Sequence, residues 1–217
     1  MNIEQARFNM IEQQIRPWNV LDQDVLDLLH VVKREQFVPP AYANLAFADV
    51  EIPLPGGESM LAPKIEARIL QEIELKKHED VLLVGAGAGY LAALLAYKGR
   101  HVTAVELSPE LKELASKNLA KAGISNVTVE QGSAAEGWPA HAPYDVIVIT
   151  GSLPSLPDAF LKQLKVGGRI AAIIGEAPVM SCNVITRVSD TAYDTVPVFE
   201  TNVKPLAGAP VASHFHF

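Results

Sequence analysis

The chain has few cysteines, no excess of basic residues and no long apolar run, and each shortage excludes a class of protein. Cys182 is the single cysteine among 217 residues, so no internal disulfide can form and a reducing compartment is favoured. The 18 basic and 25 acidic residues give a net charge of −7, which argues against nucleic acid as a partner. We find neither a signal-peptide pattern nor an apolar run near the roughly 18 residues of a membrane span, so we expect a cytoplasmic protein without a membrane partner.

Several catalytic motifs are absent as well. The sequence has no Walker phosphate loop, no nucleophile elbow and no cysteine pair. His214 and His216 alternate near the C-terminus without a third candidate ligand, so we interpret them as part of an edge or frayed strand and predict no metal. The remaining histidines show no ligand spacing either: His30, His78, His101 and His141.

The most informative segment is an apolar run followed by three alternating glycines. Residues 81–84 predict a buried strand, residues 85–89 a tight turn, and the apolar residues from Tyr90 onward a helix. Glycine permits positive φ and the close approach of a ligand, and the helix start supplies free N–H donors, so this is a mononucleotide-binding crevice. A dinucleotide fingerprint requires glycine at position 90, so the pattern favours S-adenosylmethionine, which has no pyrophosphate. The predicted cofactor contacts in this turn are Gly85, Ala86, Gly87 and Gly89.

Two segments further along the chain add candidate contacts. Glu106 ends the next predicted strand 17 residues after Gly89, close to the position where an acid accepts hydrogen bonds from ribose hydroxyls. The alternative is a solvated strand-end glutamate. We include the adjacent Leu107, and also Ser133 and Ala134, which follow the third strand where a loop passes the adenine. Ser133 is equally compatible with an ordinary turn serine.

From residue 80 onward, short apolar segments alternate with helical ones. This alternation predicts an α/β fold with a mainly parallel, doubly wound sheet covered on both faces. Asp145 begins the fourth strand, where its carboxylate either faces the cofactor or serves the structure. Residues 183–188 and 195–203 predict an antiparallel hairpin at one sheet edge. The predicted parallel strands cover residues 80–84, 101–106, 127–130, 145–150 and 169–175.

The N-terminal part has a different pattern. Apolar spacing predicts a helix from Ile3 that stops at Pro17, and a second helix capped by Asp22 and closed by Pro39-Pro40. Residues 46–63 are rich in proline and glycine and are predicted as a loop. We therefore predict one domain, 1–217, made of N-terminal helices with a substrate loop (1–63), a cofactor-binding core (64–175) and a C-terminal β extension (176–217).

Taken in order, these segments resemble the protein-L-isoaspartate O-methyltransferases. The N-terminal helices and the proline–glycine loop separate this family from other Rossmann-like methyltransferases. The resemblance implies a Rossmann-like class I S-adenosylmethionine-dependent methyltransferase fold, and methylation of isoaspartyl-containing peptides or proteins in the repair of damaged proteins. The segments that carry it are Met10–Ile15, Arg34–Pro39, Pro53–Pro63, Gly85–Tyr90 and Gly167–Arg169.

Three positions depart from the family pattern, and each departure removes a polar group. Leu61 replaces a serine near the reacting carboxylate, Leu83 replaces an acid that helps to hold the methionine amino group, and Ser133 replaces an aspartate near adenine. Each lost hydrogen bond to a charged group costs on the order of 1.5–3 kcal/mol. Two alternatives therefore stay open: a non-catalytic or weakly catalytic cofactor-binding or regulatory protein, and a methyltransferase of a small anionic metabolite.

A carboxylate acceptor places few demands on the protein. It is ionised at pH 7 and needs no general base, so the protein supplies orientation and a dry pocket. Ser59 is the hydroxyl nearest to Leu61, and we predict that it orients the acceptor together with the backbone N–H groups of residues 56–60. The identity of the acceptor and the oligomeric state stay open.

Overall fold

The N-terminal residues form helices that lie against one face of a central sheet. The computed structural model describes residues 2–210. Asp22 caps the second helix, accepting a hydrogen bond from the Asp24 N–H at 2.9 Å, as predicted. The helices are α1 (Ile3–Met10, continued by a π-helical turn over Ile11–Ile15 and a 3₁₀ turn over Arg16–Trp18), α2 (Gln23–Val31) and α3 (Pro63–Glu72).

Two predictions for the N-terminal part are wrong in detail. Helix α2 ends at Val31, well before the proline pair, because Val32 is already extended with ψ near 100°. The loop over residues 46–63 contains a small antiparallel ladder of β1 (Ile52–Pro53) and β2 (Ser59–Met60), separated by a 3₁₀ turn. Two-residue strands are too short to produce an alternating pattern, so no sequence signal marks them.

Seven strands form the central sheet, in the order β5-β4-β3-β6-β7-β8-β9. The five strands β3 to β7 are mutually parallel, and β8 and β9 add the predicted antiparallel hairpin at one edge. The doubly wound α/β prediction is confirmed. The strands are β3 (Asp80–Val84), β4 (His101–Glu106), β5 (Val127–Gln131), β6 (Tyr144–Leu153), β7 (Leu164–Glu176), β8 (Val179–Arg187) and β9 (Tyr193–Thr201).

The helices between these strands complete two layers around the sheet. Along β3, Val81 and Leu83 face the apolar core formed with the N-terminal helices, while Leu82 and Val84 face a second core on the other side of the sheet. Strand β3 is therefore buried on both sides, as its continuous apolar run predicts. The remaining helices are α4 (Tyr90–Lys98), α5 (Pro109–Lys121) and α6 (Asp158–Lys162).

The winding direction reverses at β3. From β3 the chain proceeds to β4 and β5 on one side and then returns to place β6 on the other. In open α/β sheets, the crevice outside the carboxyl ends of the strands at such a reversal is where ligands bind. Within residues 2–210, no helix is both long and apolar enough to cross a membrane. His214 and His216 lie outside the described residues.

Candidate functional site

A cavity lies at this reversal point. Residues from many separate parts of the chain line it, and they include the β1–β2 region, the glycine turn after β3, the ends of β4 and β6, the loop after β5, and the stretch that follows β9. Most of the predicted cofactor contacts lie together on its wall, namely Gly85, Ala86, Gly87, Glu106, Leu107 and Ala134. Ser59 also lines this cavity. Gly89 and Ser133 are not among the lining residues.

The three glycines of the turn have positive φ, but for different reasons. A Cβ on Gly85 would lie 2.2 Å from Thr150 Oγ1, and one on Gly89 would lie 3.2 Å from the Ala115 carbonyl oxygen. A Cβ on Gly87 would have only Leu54 Cδ1 nearby, at 3.5 Å. Gly85 and Gly89 are therefore required for packing against β6 and α5, while Gly87 leaves open the space that a ligand would enter.

Glu106 holds the glycine turn in place. It is 6% exposed, and its Oε2 accepts a hydrogen bond from the Gly87 N–H at 2.9 Å while Oε1 accepts one from the Ser108 N–H at 3.1 Å. A carboxylate oxygen accepts more than one hydrogen bond, so Glu106 keeps the capacity to bind ribose hydroxyls from the position it already occupies. Its role as a ribose ligand stays a prediction, but it is not a solvated glutamate.

The predicted adenine loop is placed only partly as expected. Ala134 is buried and lines the cavity, as do its neighbours Gly132 and Ala135. Ser133 is exposed, and its Oγ lies 3.3 Å from the position that a Cβ on Gly208 would occupy. The side chain of Ser133 therefore faces the segment after β9.

The side of the cavity predicted to receive the acceptor is built from the β1–β2 ladder. The Ser59 hydroxyl donates a hydrogen bond to Glu51 Oε2 at 2.7 Å. The side chain of Leu61 is buried at the wall, and its carbonyl oxygen accepts a hydrogen bond from Arg34 Nη2 at 3.1 Å. Leu83 is fully buried in the helical core and is not among the lining residues, so no polar side chain reaches the cavity from that strand position.

Sequence analysis missed the segment that closes the cavity after β9. Residues 203–207 cross the carboxyl end of β6, where the Ser152 N–H donates to the Lys204 carbonyl and the Leu206 N–H donates to the Ser152 carbonyl, both at 2.9 Å. The Lys204 ammonium also donates to the Gly57 carbonyl. A Cβ on Gly151 would lie 2.4 Å from Leu206 Cα, so this glycine permits the crossing. No local pattern marks these contacts.

Sequence analysis also missed two buried polar side chains at the wall. Glu66 on α3 is 3% exposed and Tyr90 at the start of α4 is 2% exposed, and both line the cavity. Among residues 2–210, neither Glu66 Oε2 nor the Tyr90 hydroxyl has a hydrogen-bond partner. Burial raises the pKa of Glu66 to about 8, against the opposing charge of Arg34, and burial also raises the pKa of Tyr90.

Other candidate groups lie away from the cavity. Asp145 Oδ2 accepts hydrogen bonds from the Asp80 N–H and the Lys165 ammonium, both at 2.8 Å, so its role is structural. Burial opposes its ionisation, but these two donors hold the pKa of Asp145 below its usual value. His101 pairs with Thr128 and His141 with Glu130. Within the described range, no three His, Cys, Asp or Glu residues could share a metal ion.

The charge of the cavity suits S-adenosylmethionine. Space is open beside Gly87, and Glu106 accepts a hydrogen bond from the Gly87 N–H. The cofactor carries a sulfonium and an ammonium group, and the carboxylates at the wall complement these positive charges. The acidic residues that line the cavity are Glu51, Glu58 and Glu106, together with Glu66, whose raised pKa keeps it protonated at pH 7.

Comparison with known proteins agrees with this geometry. The family model "Protein-L-isoaspartate(D-aspartate) O-methyltransferase" matches residues 5–207. The chain is 34% identical over 204 residues to a protein-L-isoaspartate O-methyltransferase of Methanoculleus marisnigri, covering 93% of this chain and 91% of that one. It is 35% identical over 209 residues to protein-L-isoaspartate O-methyltransferase 2 of Pelobacter propionicus, covering 96% and 93%.

Solved structures show the same fold. A protein-L-isoaspartate O-methyltransferase superposes with a TM-score of 0.80 at 26% identity, over 93% of this chain and 66% of that one. A Plasmodium falciparum structure of the same type, in complex with S-adenosyl-L-homocysteine, also gives a TM-score of 0.80, at 18% identity over 95% and 98% of the two chains. The chain therefore belongs to the protein-L-isoaspartate O-methyltransferase family and is an S-adenosylmethionine-dependent methyltransferase.

Proposed function

We propose that the chain methylates the free carboxylate of isoaspartyl residues in peptides or proteins. The observation that carries this proposal is the match to protein-L-isoaspartate O-methyltransferases along 91–93% of their own lengths, which includes the segments on both sides of the cavity. The acceptor would enter beside the β1–β2 ladder, where Ser59 and Leu61 lie at the wall.

The chemistry joins an anion to a cation. When bound, S-adenosylmethionine supplies an electrophilic methyl carbon, so that a C–O bond forms as the C–S bond breaks, the electron pair passes to sulfur, and a methyl ester and S-adenosylhomocysteine result. No proton is transferred, because the acceptor carboxylate is already ionised. The residues of the chain therefore act by binding, orientation and exclusion of water.

Each part of the cavity has a separate task in this proposal. Gly87 and Glu106 bind the nucleoside, and Leu61 provides an apolar surface that excludes water from the acceptor carboxylate. Ser59 orients that carboxylate by redirecting its hydroxyl, which in the absence of an acceptor donates to Glu51. Residues 203–207 complete the acceptor side, because Lys204 donates a hydrogen bond to the Gly57 carbonyl between β1 and β2.

Methyl transfer to matched peptides tests the proposal. Purified protein is incubated with radiolabelled S-adenosylmethionine and two peptides that differ only in having isoaspartate or aspartate at one position. We expect base-labile label in the isoaspartyl peptide alone, and equal or absent labelling of the two peptides would contradict the proposal. A parallel screen of small organic acids detects a metabolite acceptor. Cofactor binding without labelling of any acceptor would instead support a regulatory protein.

The cytoplasmic location expected from the sequence stays a prediction.

A further inference from the structure

Glu66 is a buried acidic side chain at the cavity wall with an oxygen atom that has no hydrogen-bond partner among residues 2–210. It lies in the first turn of α3, 3% exposed, and the charged group closest to it is Arg34, whose Nε is 3.9 Å from Glu66 Oε2. That separation is too long for a hydrogen bond, and both atoms are buried without a partner among residues 2–210. The other guanidinium nitrogens of Arg34 donate to the carbonyls of Ala46 and Leu61 at 2.9 and 3.1 Å.

A buried carboxyl group without a hydrogen bond is unfavourable, so its retention at a ligand cavity requires an explanation. Burial raises the pKa of Glu66 to about 8, since Arg34 compensates only in part. A donor brought by a ligand would remove the penalty. Because the carboxyl group becomes an anion when it meets a cation, the ligand group that complements it best is a positively charged hydrogen-bond donor.

The cofactor contains one group of that kind. Its sulfonium is positively charged but has no hydrogen to donate, and its adenine amino group donates but is neutral. The ribose hydroxyls are also neutral and already have a candidate partner in Glu106. The α-ammonium of the methionine moiety is both charged and a donor. Leu83 cannot accept a hydrogen bond from this ammonium group, because its side chain is apolar and buried in the core.

We infer that Glu66 binds the α-ammonium group of S-adenosylmethionine, and that Arg34 holds the Glu66 carboxylate in position from behind. In this chain the acid that receives the ammonium group therefore comes from helix α3 and not from strand β3. The assignment concerns the cofactor alone and does not depend on the identity of the methyl acceptor.

A binding cycle with two ligands tests the assignment. Affinities of the wild type and Glu66→Gln are measured by calorimetry for S-adenosylhomocysteine and for its analogue that lacks the α-amino group. We expect the wild type to prefer the amino-bearing ligand by about tenfold or more, the amount expected for a hydrogen bond between charged groups, and Glu66→Gln to lose that preference. Equal weakening of both ligands, or an unchanged preference, would overturn the assignment.

Glu58→Gln is the matched control, because it removes a carboxylate from the same cavity at a partly exposed position. If its effect on the preference equals that of Glu66→Gln, the cavity's overall charge is responsible and the assignment fails. Binding of methylthioadenosine, which lacks the whole amino-acid portion, shows that each variant is folded with an intact nucleoside site. We expect that affinity to be the same in all three proteins.

Proton release gives a second readout. In the free protein at pH 7 the Glu66 carboxyl group is largely protonated, so binding an ammonium group should expel up to one proton. Calorimetry in two buffers of different ionisation enthalpy measures this number, and we expect the release to disappear in Glu66→Gln. Equal release by both proteins would count against the assignment. The other ionisable groups at the site are present in both proteins, namely Arg34, Tyr90, Lys204, Glu51, Glu58 and Glu106. Neither readout uses an acceptor, so failure of the isoaspartyl proposal leaves this test unaffected.

Discussion

The two walls of the cavity differ in how the chain builds them. The cofactor wall comes mainly from one continuous stretch, β3, the glycine turn, α4 and the end of β4. The acceptor wall combines the β1–β2 ladder with residues 203–207, and the contact between Gly57 and Lys204 joins residues 147 positions apart. The first wall follows from local sequence, whereas the second exists only once distant segments have packed together.

The two ends of the proposed cofactor site also differ in how completely their polar groups are paired. Both oxygens of Glu106 accept backbone hydrogen bonds, so the end beside the glycine turn is already ordered without a ligand. At the other end of the cavity, Glu66 Oε2 and the Tyr90 hydroxyl are buried without partners among residues 2–210. In our proposal the nucleoside therefore binds a preorganised surface, while the amino-acid end of the ligand supplies hydrogen-bond partners to side chains that lack them.

Substitution of Gly87 should produce the largest effect. In Gly87→Val the side chain would occupy open space at the cavity, so we expect S-adenosylhomocysteine affinity to fall by at least about 100-fold, or about 3 kcal/mol, with the fold retained. Calorimetry and circular dichroism measure the two properties. Gly123→Val is the control, because Gly123 has a positive φ of 73° with no atom within 4 Å. Undiminished affinity in Gly87→Val would show that the glycine turn does not contact the ligand.

Glu66→Gln should change stability in a pH-dependent way. The folded-state pKa of about 8 lies above the ordinary value of 4.5, so the favourable contribution of the protonated carboxyl is complete below pH 4.5 and is lost as pH rises through 8. We expect the free energy of unfolding of ligand-free Glu66→Gln to rise relative to that of the wild type by a few kcal/mol between pH 4.5 and 8, on the order of 1.4 kcal/mol per pH unit. Denaturant unfolding from pH 4 to 9 measures the difference, and a pH-independent difference would contradict the expected burial.

Removing the charge of Glu106 should weaken the cofactor wall. Glu106→Gln retains the size of the side chain but loses charge-assisted hydrogen bonds, so we expect cofactor affinity to fall by about 10- to 100-fold. Glu110→Gln, an exposed position at the start of α5, is the control for net charge. Equal affinities in the two variants would show that Glu106 supports the turn without contacting the ligand.

Ser59→Ala should have the smallest effect, and it should appear only on the acceptor side. The loss of one orienting hydroxyl should lower kcat/KM for an isoaspartyl peptide by about tenfold or less. The affinity for S-adenosylhomocysteine should stay at the wild-type value, because the serine lies on the β1–β2 ladder. A loss of cofactor affinity without a change in acceptor kinetics would show that Ser59 acts on the cofactor and not on the acceptor.

The sequence predictions succeeded where structure depends on near neighbours. Asp22 caps α2 as predicted, and the bounds of β3 and β4 were predicted to the residue. The prediction for Pro39-Pro40 failed because α2 ends earlier, at a residue with no local stop signal. Glu66 escaped notice because a single glutamate on an amphipathic helix has the pattern of a solvent-facing residue.

The glycine turn, the alternation of strands and helices, and the acid that ends β4 could all be predicted from the sequence, because adjacent residues specify backbone conformation and strand burial. Three features became visible only in the folded chain: Gly87 alone of the three glycines leaves open space, residues 203–207 line the cavity, and Glu66 lies at its wall. These three features depend on contacts between residues far apart in the chain. Such contacts are set by packing of the completed fold and leave no periodic trace in the sequence.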